Sequence, residues 1–524
     1  KGKYLHAEES GKSSVPSILR NFFVQDLIYK NANLDKSQRF QVIINPEDSY
    51  AREAASFADW ISKNLPSLHF WKKRLDQSAE TYGQLDAEDQ DYEKLYQLYK
   101  DFLDKNKLFE PAWLDNLELG DKNTNFILFY PELLEDFGDY KEIFKKNDNI
   151  TLCTMPDDIP NPEVYFFKDS RSELRQTILR IIQLVKEDKA DWSEIALSIP
   201  DIETYRPYIE REFKLYQVPF VIKAGLSLTK NNAGQIFREI NNCHKENFTF
   251  DSVRSLLLDE NLPWKSEFEE KRKNLIRVGN EMRCICSPEE KDIWLSAFAK
   301  KIAVLNKQEN TEEIALYEEL KKFYQEVKAL VEGFFTDKSF KSIKKAWFDF
   351  RRYFFTEEDT FSDEANAILG RCLSELNEII RVEEEFQAAE LHISDPFSFF
   401  LNELDKKKYS PQQNDKTGVS VFPYKLSGPA CFKYQFVIDT SQKNLEIPYK
   451  RLTFLNAKKR ARLHLIDDDK ELRASEVFIK LYAKKSYEQN TDDDFVTFSA
   501  AEETFAGFAI PHSNFSLQKI LFQI

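Results

Sequence analysis

Between Pro162 and Thr229 the sequence alternates strand and helix patterns with little between them, and this alternation limits the fold more than any other stretch. Val164-Tyr-Phe-Phe167 is a short β-prone run. Glu173 to Lys186 then places Leu174, Ile178, Ile181, Ile182 and Val185 at helical spacing. Ile195-Ala-Leu-Ser-Ile199 is a second apolar run, ended by Pro200-Asp201. An amphipathic stretch from Tyr205 to Tyr216 leads to Pro219-Phe-Val-Ile222. Strands that alternate with helices predict parallel pairing through right-handed crossovers. Sheets of that kind place ligand sites at the carboxyl ends of their strands.

The chain has 524 residues, enough for several domains, and only 13 glycines, which argues against a turn-rich all-β fold. Abundant Lys, Glu and Leu point to a helix-rich molecule. No apolar run reaches the roughly 18–20 residues of a membrane span, and the amino end, Lys-Gly-Lys-Tyr, is not a signal peptide. No membrane partner is expected. Six scattered cysteines form no disulfide framework, so a cytoplasmic setting is expected. The net charge of −15 leaves nucleic-acid binding to depend on where the positive charge clusters.

Strands are predicted at Arg39–Ile44, at Asn125–Tyr130 as a buried strand, and at Asn149–Thr154. Helices are predicted at Ser49–Leu65 and Glu88–Asn106. Pro156–Pro162 reads as a linker. From Thr229 to Asp405 the pattern is helical throughout. Strands return at Gly418–Phe422, Tyr434–Asp439 and Asp494–Ser499, with a charged helix at Asp469–Lys484, and Ser516–Ile524 carries a helical pattern. The expected organisation is a partial first region over 1–155, a discontinuous α/β domain over 156–228 and 415–524, and a helical insertion over 229–414.

No motif assembles a self-sufficient catalytic or metal centre. Gly11-Lys12-Ser13 has His6 where a phosphate loop needs its first glycine, and no strand pattern precedes it. Cys284-Ile-Cys286 lacks the further ligands of a zinc site. Glu319-Leu-Lys321 lies in a helical run, whereas a nuclease Glu-x-Lys needs a strand. The six histidines are isolated. Glu132, Glu135 and Asp136 follow the Asn125–Tyr130 strand, where a magnesium-binding acidic residue or a plain acidic helix start would both fit.

Two segments combine positive charge with rings or cluster it near the returning strands. The first, Lys338–Phe355, offers Lys341, Lys344, Lys345, Arg351 and Arg352 mixed with the rings of Trp347, Phe348, Phe350, Tyr353 and Phe354. The second, Lys450–Arg462, offers Lys450, Arg451, Lys458, Lys459, Arg460 and Arg462. Cations for phosphates and rings for bases are the requirements of single-strand binding. The first segment also carries Ile343, Trp347, Phe350 and Phe354 at core spacing.

The order of these parts resembles the second motor half of superfamily 1 (UvrD-like) helicases, and most closely the AddB/RexB-type subunit of bacterial helicase–nuclease complexes of the PD-(D/E)XK family. The residues that carry it are Glu173-Leu-Arg-Gln-Thr-Ile-Leu-Arg-Ile-Ile182, Trp192-Ser-Glu-Ile-Ala-Leu-Ser-Ile-Pro-Asp201, Tyr205-Arg-Pro-Tyr-Ile-Glu-Arg-Glu-Phe213, Val218-Pro-Phe-Val-Ile222 and Leu226-Ser-Leu228. Later come Gly418-Val-Ser-Val-Phe-Pro423, Gly428 and Phe432-Lys-Tyr-Gln-Phe-Val-Ile438. The resemblance implies a RecA-like α/β domain of the P-loop NTPase type with a large all-α insertion. It also implies a role in DNA repair and recombination, with DNA (a single strand or a duplex end) and a partner helicase–nuclease subunit as partners.

Two departures bear on chemistry. Where active motors carry Gly-Leu-Glu-Phe, this chain reads Gly428-Pro-Ala-Cys-Phe432. Where a late arginine is expected, it reads Tyr482-Ala-Lys-Lys485, and lysine cannot supply a bidentate fork. The expectation is a non-catalytic, helicase-like scaffold with no cofactor of its own, ATP and magnesium belonging to the full-length protein or its partner. The alternatives are an active helicase whose Walker A lies outside this chain, and a helical protein–protein adaptor.

Overall fold

The structure, a computed structural model, describes residues 11–44, 55–114, 123–133, 144–156, 162–231, 233–260, 262–285, 292–356, 363–386, 390–410, 417–424, 428, 430, 432–446, 452–465, 475–483, 495–511 and 516–520. Two short parallel pairs lie in the amino-terminal region. They are β1 (Ser13–Ser14) with β2 (Leu108–Phe109), and β3 (Phe126–Phe129) with β4 (Ile150–Cys153). Helices Ser17–Asn33, Ala55–Asn64, Leu68–Gln77 and Ala87–Lys105 make up most of the rest.

The main sheet takes β5 (Glu163–Asp169), β6 (Ile195–Ile199) and β7 (Phe220–Ile222) from one side of the helical segment. From the other side it takes β10 (Val419–Pro423), β11 (Tyr434–Val437), β12 (Val496–Thr504) and β14 (Ser516–Ile520). The order is β14-β5-β12-β11-β6-β10-β7, every pairing parallel, and β13 (Gly507–Phe508) folds back antiparallel on β12. All five residues of β6 are buried, as a central parallel strand requires with both faces covered. Alternation along β11 sends Tyr434 and Phe436 to one core and Val437 to the core on the opposite face.

Helix starts follow directly from sequence. Asp169, the last residue of β5, and Asp201, two residues beyond β6, cap the following helices, accepting from the Ser172 N–H at 2.8 Å and the Thr204 N–H at 2.7 Å. The short pair β8 (Leu226–Ser227) and β9 (Lys408–Tyr409) closes the base of the helical segment. Here Gly225 lies against the Tyr409 backbone, where a Cβ would sit 2.7 Å from the carbonyl carbon. The Asp405 carboxylate accepts from Ser227 Oγ at 3.0 Å, from Thr229 Oγ1 and from Arg238 Nη2 at 2.8 Å.

A single apolar core runs from the amino-terminal helices through the helical segment and includes Leu452–Leu465 residues. Phe22 packs on Phe399 at 4.9 Å and Asn21 donates to Glu403, so these helices form one body, while the sheet keeps separate cores.

Three expectations are corrected. Arg39–Ile44 is not a strand. The N–H groups of Gln41, Val42 and Ile43 donate to the Asp91 carboxylate at 2.6–3.0 Å, so a side chain satisfies the backbone in place of a ladder. Asn125–Tyr130 supplies a strand that is not buried: Ile127 and Phe129 are 58% and 67% exposed in their two-stranded sheet. Ser516–Ile520 is an edge strand on β5 where a helical pattern was read, because that edge of the sheet offers an open ladder. Among the described residues no helix is long and apolar enough to cross a membrane.

Candidate nucleic-acid interface and the sheet-edge polar cluster

Helix Phe340–Phe354 begins at Ser339, whose Oγ accepts the Ser342 N–H at 3.2 Å. Its buried face carries Ile343, Trp347, Phe350 and Phe354. Trp347 is 0% exposed and packs on Phe237 at 4.8 Å between ring centroids. It is a core residue and offers no face for stacking, which corrects its place among the DNA-contact residues. The opposite face presents Lys341, Lys345, Phe348 and Arg352 to solvent. This set repeats the core spacing shifted by two positions, which turns it roughly 200° around the helix.

Of the rings named from sequence, Phe348, 41% exposed, faces solvent in place of Trp347, with Lys345 about one turn before it and Arg352 about one turn after. The signal was available in the spacing, since both sets step by four, three and four. Lys265 joins the carboxyl end of this helix by donating to the Arg352 carbonyl at 2.8 Å. Lys341 is drawn to Glu384 at 2.6 Å, and Arg352 lies 4.0 Å from Asp349 with its side chain 82% exposed. Lys344 and Arg351 flank the stripe and are half-buried.

The second basic segment does not present a continuous surface. Lys458 and Arg462 are exposed, and Arg462 lies over the Tyr82 ring at 6.0 Å. Arg460 is half-buried. Lys450 and Arg451 lie outside the described residues. Lys459 is 4% exposed, and its Nζ donates to Asp86 and Glu88 at 2.7 Å and to Asp89 at 2.9 Å. Burial lowers the affinity of this ammonium for its proton, but the hydrogen bonds to Asp86, Glu88 and Asp89 outweigh that and hold it charged. Lys459 is thus committed to internal carboxylates and is corrected as a phosphate contact.

At the carboxyl edge of the sheet lies a buried polar cluster that sequence reading did not single out. Glu173, in the first turn of helix Ser170–Lys186, accepts from the Asp439 N–H at 2.9 Å and from Ser499 Oγ at 2.5 Å. Asp439 ends the β11 run with φ 53° and accepts from the Tyr205 hydroxyl. The Tyr424 hydroxyl donates to the Asp439 carbonyl at 2.8 Å, and the Tyr482 hydroxyl donates to the Tyr424 carbonyl. Burial pushes the Glu173 carboxyl up to about 8, against the opposing hydrogen bonds from Asp439 and Ser499. Among the described residues its second oxygen, Oε2, has no hydrogen-bond partner. Burial also raises the Asp439 carboxyl.

The cluster ties the ends of β11 and β12 to two crossover helices. Lys12 of Gly11-Lys12-Ser13 pairs with Asp104 at 2.6 Å, and Ser13 lies in β1. Among the described residues, no group of three or more His, Cys, Asp or Glu could hold a metal ion. Glu319 lies in helix Thr311–Glu332 and pairs with Lys271 at 2.8 Å. Glu135, Asp136, Cys286, Pro429, Cys431, Lys484 and Lys485 lie outside the described residues.

Two family models match parts of the chain. Residues 1–154 match the Treponema TP0900 N-terminal P-loop domain, and residues 229–410 match the Treponema TP0900 fourth helical domain. A protein of Treponema pallidum (strain Nichols), described only as uncharacterized, is 27% identical over 552 residues, spanning 96% of this chain and 66% of its own length. The chain is thus similar, from end to end, to about two thirds of a longer protein. The structure is helix-rich with a parallel sheet, and the P-loop match at the amino end is compatible with an α/β fold.

Proposed function

We propose that this chain is a non-catalytic, helicase-like scaffold that grips single-stranded DNA, in the manner of an AddB/RexB-type repair subunit with a RecA-like domain. The observation that carries this reading is the exposed Lys345–Phe348–Arg352 stripe on a helical block inserted within a parallel sheet. One ring for a base and flanking cations for phosphates are the minimum of a single-strand contact, in a chain whose total charge is −15. The altered Gly428-Pro-Ala-Cys-Phe432 segment supports a body without ATP turnover. The test is filter binding of an oligothymidylate to the chain across a salt series. Binding at low salt that weakens log-linearly with salt is expected, and an affinity flat with salt sinks the reading.

A second reading has one observation in its favour. The match of residues 1–154 to a P-loop domain supports an active ATP-driven helicase in a longer form. DNA-stimulated ATP hydrolysis by a longer polypeptide that includes this chain would favour it over the scaffold.

A further inference from the structure

The segment 452–465 belongs in sequence to the crossover from β11 to β12, and so to the sheet. Its packing belongs elsewhere. Leu452, Phe454, Leu455, Leu463 and Leu465 lie in the core of the helical body. The Tyr92 ring lies 4.7 Å from that of Phe454, and the Tyr92 hydroxyl donates to the Phe454 carbonyl at 3.3 Å.

At the centre of this contact, Lys459 enters a cage of Asp86, Glu88 and Asp89 at the start of helix Ala87–Lys105. The cage is built independently of the lysine. Asp86 and Asp89 form a reciprocal capping box, and Tyr82 donates to Asp89 at 2.9 Å. One buried ammonium balances three carboxylates gathered at a helix start, which the helix dipole alone only partly supports.

Two attachments between the bodies stand out among the described residues. One is the β8–β9 pair with Asp405, where the chain passes between sheet and helical segment. The other is the Lys459 cage. Only six residue steps separate Glu446, beside the sheet, from Leu452 in the helical body, a reach of at most roughly 20 Å. A rotation about the first attachment that carries Glu446 beyond this reach from Leu452 has to pull the Lys459 segment out of the helical body.

The geometry points to a latch: Lys459 and its three carboxylates fix the sheet on the helical body in one pose, so that the two do not swing freely about the β8–β9 base. This holds whether or not the chain binds DNA. Burial shields the latch from salt, unlike a surface pair.

Hydrogen exchange on the whole chain tests it, with Lys459→Met as the variant. The expected result is exchange faster by roughly tenfold in 452–465 and 82–92, with β6 and β11 as protected as before. In the unaltered chain, protection of 452–465 is expected to be the same at low and high salt. Unchanged protection of 452–465 in Lys459→Met overturns the latch. Equal loss across β6 and β11 also overturns it, because Lys459 would then serve only global stability. If Lys459→Met does not fold, Asp86→Asn, which removes one contact from the half-exposed rim, is read by the same criteria with a smaller increase expected.

Discussion

At the scale of the residue, similar side chains have opposite roles because of where the helix turns them. Trp347 and Phe348 are neighbours in sequence, one fully buried and one facing solvent. Phe348→Ala should weaken single-strand binding by about 1–3 kcal/mol, the worth of one stacked base, and leave the melting temperature unchanged. Trp347→Ala should cost about 3–5 kcal/mol of stability by opening a cavity, which denaturant unfolding would register. Glu173 gives a pH signature. Its carboxyl is raised from 4.5 to about 8 in the fold, so the folded state binds the extra proton between those values. Stability from this group is fully present below about pH 4.5 and is lost as pH rises toward 8. Glu173→Gln should remove that slope, so the variant gains stability relative to the parent as pH rises, measured by melting at pH 5 and pH 8.5. The basic residues were legible from sequence as charge. Which of them face solvent was not, because exposure depends on what packs against the helix.

At the scale of the element, the strongest local signals were those that satisfy the backbone. Asp169 and Asp201 cap helices at or just past the ends of their strands, so the strand–helix–strand run from Glu163 to Ile222 follows closely from sequence. Asp201→Ala should cost about 1 kcal/mol, seen as a shift in the urea midpoint. The misread elements share a cause. Arg39–Ile44 has strand composition, yet Asp91, far away in sequence, takes its N–H groups. Asp91→Ala should leave those donors unsatisfied and raise hydrogen exchange at Gln41–Ile43 without changing exchange in the sheet. Ser516–Ile520 became a strand because β5 had an open edge. Neither partner can be seen from the local pattern.

At the scale of the whole molecule, the helical body and the sheet have separate cores. Calorimetry should therefore resolve two overlapping transitions, drawn further apart in Lys459→Met, where a single transition would show the bodies to be one cooperative unit. By itself the sequence determined the alternation that makes the sheet parallel, the caps that start its helices and the helical run between its two halves. These are local matters of periodicity and backbone satisfaction, which a few neighbouring residues settle. Only the tertiary structure decided that the amino-terminal helices and the inserted helices share one core. It alone placed Phe348 on the surface in place of Trp347, turned Lys459 into a carboxylate cage and buried Glu173. Burial, charge pairing and proton affinity depend on side chains hundreds of positions apart, whose meeting no local pattern encodes.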